Sequence, residues 1–152
     1  MSATTLMVTK EGIAAMIPHA GDMCLLDGVL TWDAGSIRCI SASHHSPRNP
    51  LRVNGRLSAT SGIEYAAQAM AVHGALAGKV GYTPRAGYLA SVRDVVCRCR
   101  DLDEQAGELT IDARKLAGDG DRVLYEFTLR AGDTALLSGR AAVVLDATGA
   151  AP

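Results

Sequence analysis

No stretch of this sequence is apolar for long enough to cross a membrane; nothing approaches the roughly 18 to 20 residues a spanning helix needs. The first residues, MSATTLMVTKEG, have neither the basic region nor the apolar stretch of a secretion signal, so a cytoplasmic location is expected. Charge imbalance is missing too. A net charge of -1 gives no electrostatic reason to expect DNA, RNA or an anionic membrane as partner. No Gly-rich phosphate loop and no Ser-His-Asp order stands out, and no cofactor or metal is expected. The cysteines are Cys24, Cys39, Cys97 and Cys99, and the last two read C-R-C rather than C-x-x-C. A cytosolic chain of this size needs no disulfide, so all four are expected to be small buried hydrophobes. There is no internal repeat and no linker.

What is present fits one domain, residues 1–152, with a loose tail at 147–152. Apolar residues make up 48% and charged residues 20%, an ordinary globular balance. Residues 7–16 predict a short helix before Pro18, and 23–32 a strand. Asp33-Ala34-Gly35 predicts a turn and 36–43 a returning strand. Residues 44–55 hold two prolines and two asparagines and predict a loop. A helix follows, capped by Ser58 or Thr60 and running to Gly78 or Gly81. Residues 88–100 predict a strand. From there Leu109, Ile111 and Ala113 alternate with Thr110, Asp112 and Arg114, and Val123, Tyr125, Phe127 and Leu129 share one face. With the turns at 118–120 and 131–133, three consecutive antiparallel strands result, the last over 134–146. Helix and sheet are segregated, an α+β layout in which one helix covers a large sheet.

That helix is built from Gly62, Ala66, Ala67, Ala69, Ala71, Gly74 and Ala75, small enough for a curved sheet to approach closely. Glu64, in its first two turns, has no evident structural reason. It is either a site carboxylate or a surface residue that complements the helix dipole. Apolar neighbours on every side argue against full exposure.

The stretch IPHAGDMCLLDGVL (17–30) resembles the opening motif of 3-hydroxyacyl-(acyl carrier protein) dehydratases, and GIEYAAQA (62–69) resembles their helix motif, an acid followed by Ala-Gln. The longer run NPLRVNGRLSATSGIEYAAQAMAVHGAL is closer still to the dehydratase-like proteins of aryl polyene clusters. The resemblance spans nearly the whole chain. It implies the hot-dog fold, a long antiparallel sheet wrapped around one central helix. The activity it implies is dehydration of a 3-hydroxyacyl thioester, in fatty-acid or aryl polyene biosynthesis. The implied partners are an acyl carrier protein with a phosphopantetheine-linked chain and a second subunit, in a homodimer or heterodimer. A non-catalytic partner subunit and a hot-dog thioesterase are the competing readings. The sequence departs from the common dehydratases ahead of the acid: His45-Ser46-Pro47-Arg48 stands in place of His-Phe-Pro-Gly, and His44 and His45 precede Glu64 by a longer loop.

Dehydration needs a base for the α-proton and an acid for the departing hydroxyl, and an imidazole with a carboxyl group suits both. The resemblance places Glu64 as the acid and His44 as the base, with His45 as fallback. Alternation along the preceding strand also turns His44 toward the helix, provided the strand continues through it. Gln68, one turn after Glu64, either orients the carboxylate or meets a backbone group. Gln68, Ala59 at the helix start and Tyr88 at the tunnel floor are candidate substrate contacts. His19 is read as loop-holding and His73 as a satisfied core or interface histidine. Arg48, Arg52, Arg56 and Arg85 either attract the acidic carrier protein or simply solvate loops.

Overall fold

A computed structural model describes residues 5–17, 21–78, 87–119 and 121–145, with the backbone alone at 87, 88, 119 and 145. Seven strands form one antiparallel sheet: β1 (Val8–Thr9), β2 (Gly28–Asp33), β3 (Ser36–Ser41), β4 (Gly87–Cys97), β5 (Leu109–Asp119), β6 (Arg122–Ala131) and β7 (Thr134–Leu145). Their spatial order is β1-β2-β3-β5-β6-β7-β4, so β4 lies at an edge. Two α-helices are described, α1 (Lys10–Met16) and α2 (Gly62–Leu76), and α2 packs on β3, β5 and β6. This is the hot-dog arrangement.

Period-two patterning produces the sheet. In β5 to β7 the inner row Leu109, Ile111, Ala113, Tyr125, Phe127, Leu129, Leu137, Ala141 and Val143 is buried against α2. Each fully buried Leu or Ile contributes on the order of 1.5–3 kcal/mol. The outer row carries the charges, with Arg38 and Arg130 both bonded to Asp112. The β2–β3 turn is set by Asp33, whose Oδ1 accepts from the Gly35 N–H (2.8 Å) and the Ser36 hydroxyl (3.1 Å). Those bonds hold the Asp33 carboxyl below the usual carboxylate range.

The small residues of α2 divide between two faces. A Cβ on Gly62 would lie 2.6 Å from Leu137 Cδ2 and 2.9 Å from Leu129 Cδ2, so only glycine lets the helix start sit this close to the sheet. Ala66 and Ala69 are buried beside it. Ala67, Ala71, Gly74 and Ala75 face away from the sheet and are half-buried or exposed.

Several boundaries differ from expectation. The strand expected over 23–32 begins at Gly28, because residues 24–26 are buried in irregular backbone pinned to α2. The returning strand stops at Ser41 and a 3-10 turn, Ser43–His45, follows. Ser58 and Thr60 bond each other (2.9 Å) instead of capping, and a 3-10 turn, Ala59–Ser61, leads into α2. The helix ends at Leu76, where the cap N–H of Ala77 bonds the His73 carbonyl. Cys24 and Cys39 are buried as expected. Cys97 is exposed and Cys99 intermediate, because nothing described covers the end of the edge strand. His19, Arg85 and the tail 147–152 lie outside the described residues.

Candidate functional site

The 3-10 turn at 43–45 is held by a directed chain of hydrogen bonds. Asn49 Nδ2 donates to the Tyr65 hydroxyl (2.9 Å) and to the Ser43 carbonyl (3.1 Å). Ser43 Oγ donates its one proton to the Leu25 carbonyl (2.8 Å), so Tyr65 donates to Ser43 Oγ (2.7 Å). Tyr65 and Asn49 are buried, and burial pushes the Tyr65 phenol up. This network ties the turn to the first turn of α2. Sequence reading missed it; Asn49 and Tyr65 flank the quoted motifs, but a polar pairing over 16 residues leaves no local signal.

Within the turn, His44 is fully buried and His45 exposed. The rings are 3.8 Å apart, centre to centre. The Gln105 carbonyl lies 3.2 Å from His44 Nε2 and 2.6 Å from His45 Nε2. A carbonyl can only accept, so each Nε2 carries a proton, and a neutral His44 ring then keeps its lone pair on Nδ1. His44 Nδ1 is buried with no hydrogen-bond partner. Burial, then the neighbouring His45, push the His44 imidazole down, outweighing the backbone groups of Gln105 and Gly107, which push it up.

Arg52 clamps the same turn. Its guanidinium donates to the carbonyls of Ser46 (2.8 Å), Gly55 (2.7 Å) and His44 (2.9 Å), and Asp103 lies 3.6 Å away. Arg52 is thus an internal tie, not a free docking charge. Arg56 lies 3.9 Å from buried Asp101, and exposed Arg48 lies 3.9 Å from Asp22.

Glu64 occupies the first turn of α2 and is exposed. The apolar neighbours expected to cover it on every side leave it exposed. Gln68 is buried, accepting at Oε1 from the Leu25 N–H (2.9 Å) and donating from Nε2 to the Met23 carbonyl (2.6 Å). Both ends of its amide are committed to the backbone of the 23–25 segment. Ala59 is buried at the helix entry, and its N–H donates to the Arg100 carbonyl (2.9 Å). Tyr88 pairs in register with Val144 at the β4–β7 ladder; its side chain lies outside the described residues. His73 is buried with both nitrogens used, at Tyr125 Oη (2.7 Å) and the Asp33 carbonyl (2.8 Å).

Comparison with known proteins identifies the group. The family model described as ApeP-like, ApeP dehydratase, matches residues 11–149. The chain belongs to the ApeP-like dehydratase family. Among curated proteins nothing matches. Among solved structures the chain is similar to the dehydratase heterocomplex ApeI:P from Xenorhabdus doucetiae, at 24% identity over 88% of this chain and 90% of that one, TM-score 0.78. More distant likenesses include a mutant thioesterase from Pseudomonas aeruginosa (14% identity, 78% and 79% covered, TM-score 0.56) and a thioesterase from Haemophilus influenzae (11%, 78% and 76%, TM-score 0.57). At such identities these likenesses show the hot-dog fold.

For an ApeP-like dehydratase, the chemistry available is that of proton transfer. A neutral imidazole with a bare lone pair can take a proton, and a carboxyl group can give or take one. No cluster of metal-ligating side chains occurs among the described residues. No described helix is long and apolar enough to cross a membrane.

Proposed function

We propose that this ApeP-like chain dehydrates a 3-hydroxyacyl thioester, carried on an acyl carrier protein, to the trans-2-enoyl thioester. His44 Nδ1 takes the α-proton. The freed electron pair becomes the new double bond as the C3–O bond breaks, and the hydroxyl leaves as water with a proton from Glu64. The observation that carries this reading is the buried Nδ1 of His44, which has no hydrogen-bond partner among the described residues. Glu64 and the uncovered small-residue face of α2 support completion of the site by a second subunit.

A second reading is a non-catalytic subunit of a dehydratase heterodimer. The full burial of His44 favours it, since a base must meet its substrate. A hot-dog thioesterase, with a carboxylate activating water, is the third. Incubating the purified protein with a 3-hydroxyacyl thioester on acyl carrier protein separates them. The 2-enoyl product supports dehydration, and free acid supports the thioesterase. Unchanged substrate overturns the catalytic reading and leaves the partner subunit.

A further inference from the structure

His44 is gripped at two ends. Its backbone carbonyl accepts from Arg52 Nη2 (2.9 Å), and its ring Nε2 lies 3.2 Å from the Gln105 carbonyl. The two grips come from different parts of the chain. Arg52 follows His44 by 8 residues, in the loop before α2, and Gln105 follows it by 61, between β4 and β5. Either ring nitrogen of a neutral imidazole can carry the hydrogen, and the partner it finds decides which. The Gln105 carbonyl can select Nε2–H only while it stays at a fixed separation from the His44 backbone.

Asp103 links the two grips. Its Oδ1 accepts from the Leu57 N–H (2.9 Å), and its Oδ2 lies 3.6 Å from Arg52 Nη1. The side chains of Arg52 and Asp103 are only 16% and 19% exposed, so salt screens this pair far less than one in open solvent. Backbone bonds stiffen the rest of the loop. Leu102 N–H donates to the Leu57 carbonyl (2.7 Å), and Gln105 N–H to the Leu102 carbonyl (3.0 Å). The Gln105 amide turns back to the Asp101 carbonyl (3.1 Å). Asp103 is therefore joined through its loop to the carbonyl that meets the His44 ring, and through Arg52 to the His44 backbone. Asp101 makes no such link: its guanidinium neighbours, Arg56 and Arg100, stand 3.9 Å off and are 54% and 78% exposed.

We infer that Asp103 is a positioning residue for His44, acting through Arg52 and the Gln105 carbonyl to fix which nitrogen of the imidazole stays unprotonated. Its role is placement, and it takes no part in proton transfer. The inference rests on His44 as the proposed base. Its first test reads the His44 ring whether or not the protein turns over, so the two can fail separately.

The test is Asp103→Asn, which keeps the shape and the acceptor for the Leu57 N–H but loses the charge that holds Arg52. Folding is checked by circular dichroism. Long-range proton–nitrogen spectra should show His44 passing from a single Nε2–H form to an averaged mixture of the two neutral forms. His73, bonded at both nitrogens, should stay unchanged and serves as the internal control. With a 3-hydroxyacyl thioester on acyl carrier protein, kcat per folded molecule should fall by about 10-fold to 10²-fold, the scale of a small misplacement. KM should stay within about twofold, as for an interaction made only in the transition state. Arg52→Lys should repeat both results, since one ammonium cannot span three carbonyls. The double variant should lose no more than the larger single loss, because the two residues act as one unit. An unchanged His44 spectrum in Asp103→Asn overturns the inference. So does a change shared by His44 and His73, which would mark general loosening, or a double variant whose losses multiply.

Discussion

His44 and His73 are both buried, at 0% and 1% exposure, and the chain treats them differently. His73 donates from Nε2 to the Asp33 carbonyl and accepts at Nδ1 from the Tyr125 hydroxyl, whose ring meets it edge-on at 5.6 Å. It ties α2 to the β2–β3 turn and to β6. His44 uses one nitrogen and leaves the other bare. Burial alone does not tell a structural histidine from a reactive one; counting partners does. A buried polar atom without a partner costs about 1–3 kcal/mol. His73 avoids that cost, and His44 keeps it where the proposed chemistry needs a lone pair.

The sharpest way to break the comparison is to remove each imidazole. His44→Ala should lower the dehydration rate, counted per folded molecule, by about 10² to 10⁴, the scale of a positioned base. Glu64→Gln keeps size but loses the transferable proton, so a loss on the same scale is expected; full activity there removes the acid role. His73→Phe should show the opposite pattern. It orphans the Asp33 carbonyl and the Tyr125 hydroxyl, so denaturant melts should show a loss of about 1–3 kcal/mol while turnover per folded molecule is kept.

Smaller effects sharpen the contrast. The folded-state pKa of His44 is lowered, so the unfolded chain binds the extra proton first. Stability from this group is therefore greatest above the unfolded value of about 6.5 and falls as pH drops through it, by at most about 1.4 kcal/mol per unit. His44→Asn should flatten that slope in melts between about pH 5 and 7. His45→Ala should change the dehydration rate by less than about threefold, since a positioned base is worth far more.

Much of the fold was legible because it is written locally. The alternation of Leu109, Ile111 and Ala113, and of Tyr125, Phe127 and Leu129, predicts the buried rows of β5 and β6. The segregation of helix and sheet likewise predicts the layout. The site was legible in its residue types but not in its supports. Parity along β3 pointed the wrong way, since its buried row is Ile37, Cys39 and Ser41, the parity of His45; β3 stops at Ser41, and a 3-10 turn, not alternation, buries His44. The clamp by Arg52, the Asn49–Tyr65–Ser43 chain and the carbonyl of Gln105 join residues far apart in sequence, and no spacing rule encodes them. The exposure of Glu64 and Cys97 follows from which faces the single chain leaves uncovered, which composition does not reveal.

The most direct test of the account is the protonation state of His44. Long-range proton–nitrogen spectra of histidine-labelled protein, with His44→Asn for assignment, report which ring nitrogen carries hydrogen. At neutral pH the account predicts Nε2–H and a bare Nδ1 at His44, titrating below the ordinary value of about 6.5. A proton on Nδ1, or a midpoint at or above that value, would contradict it.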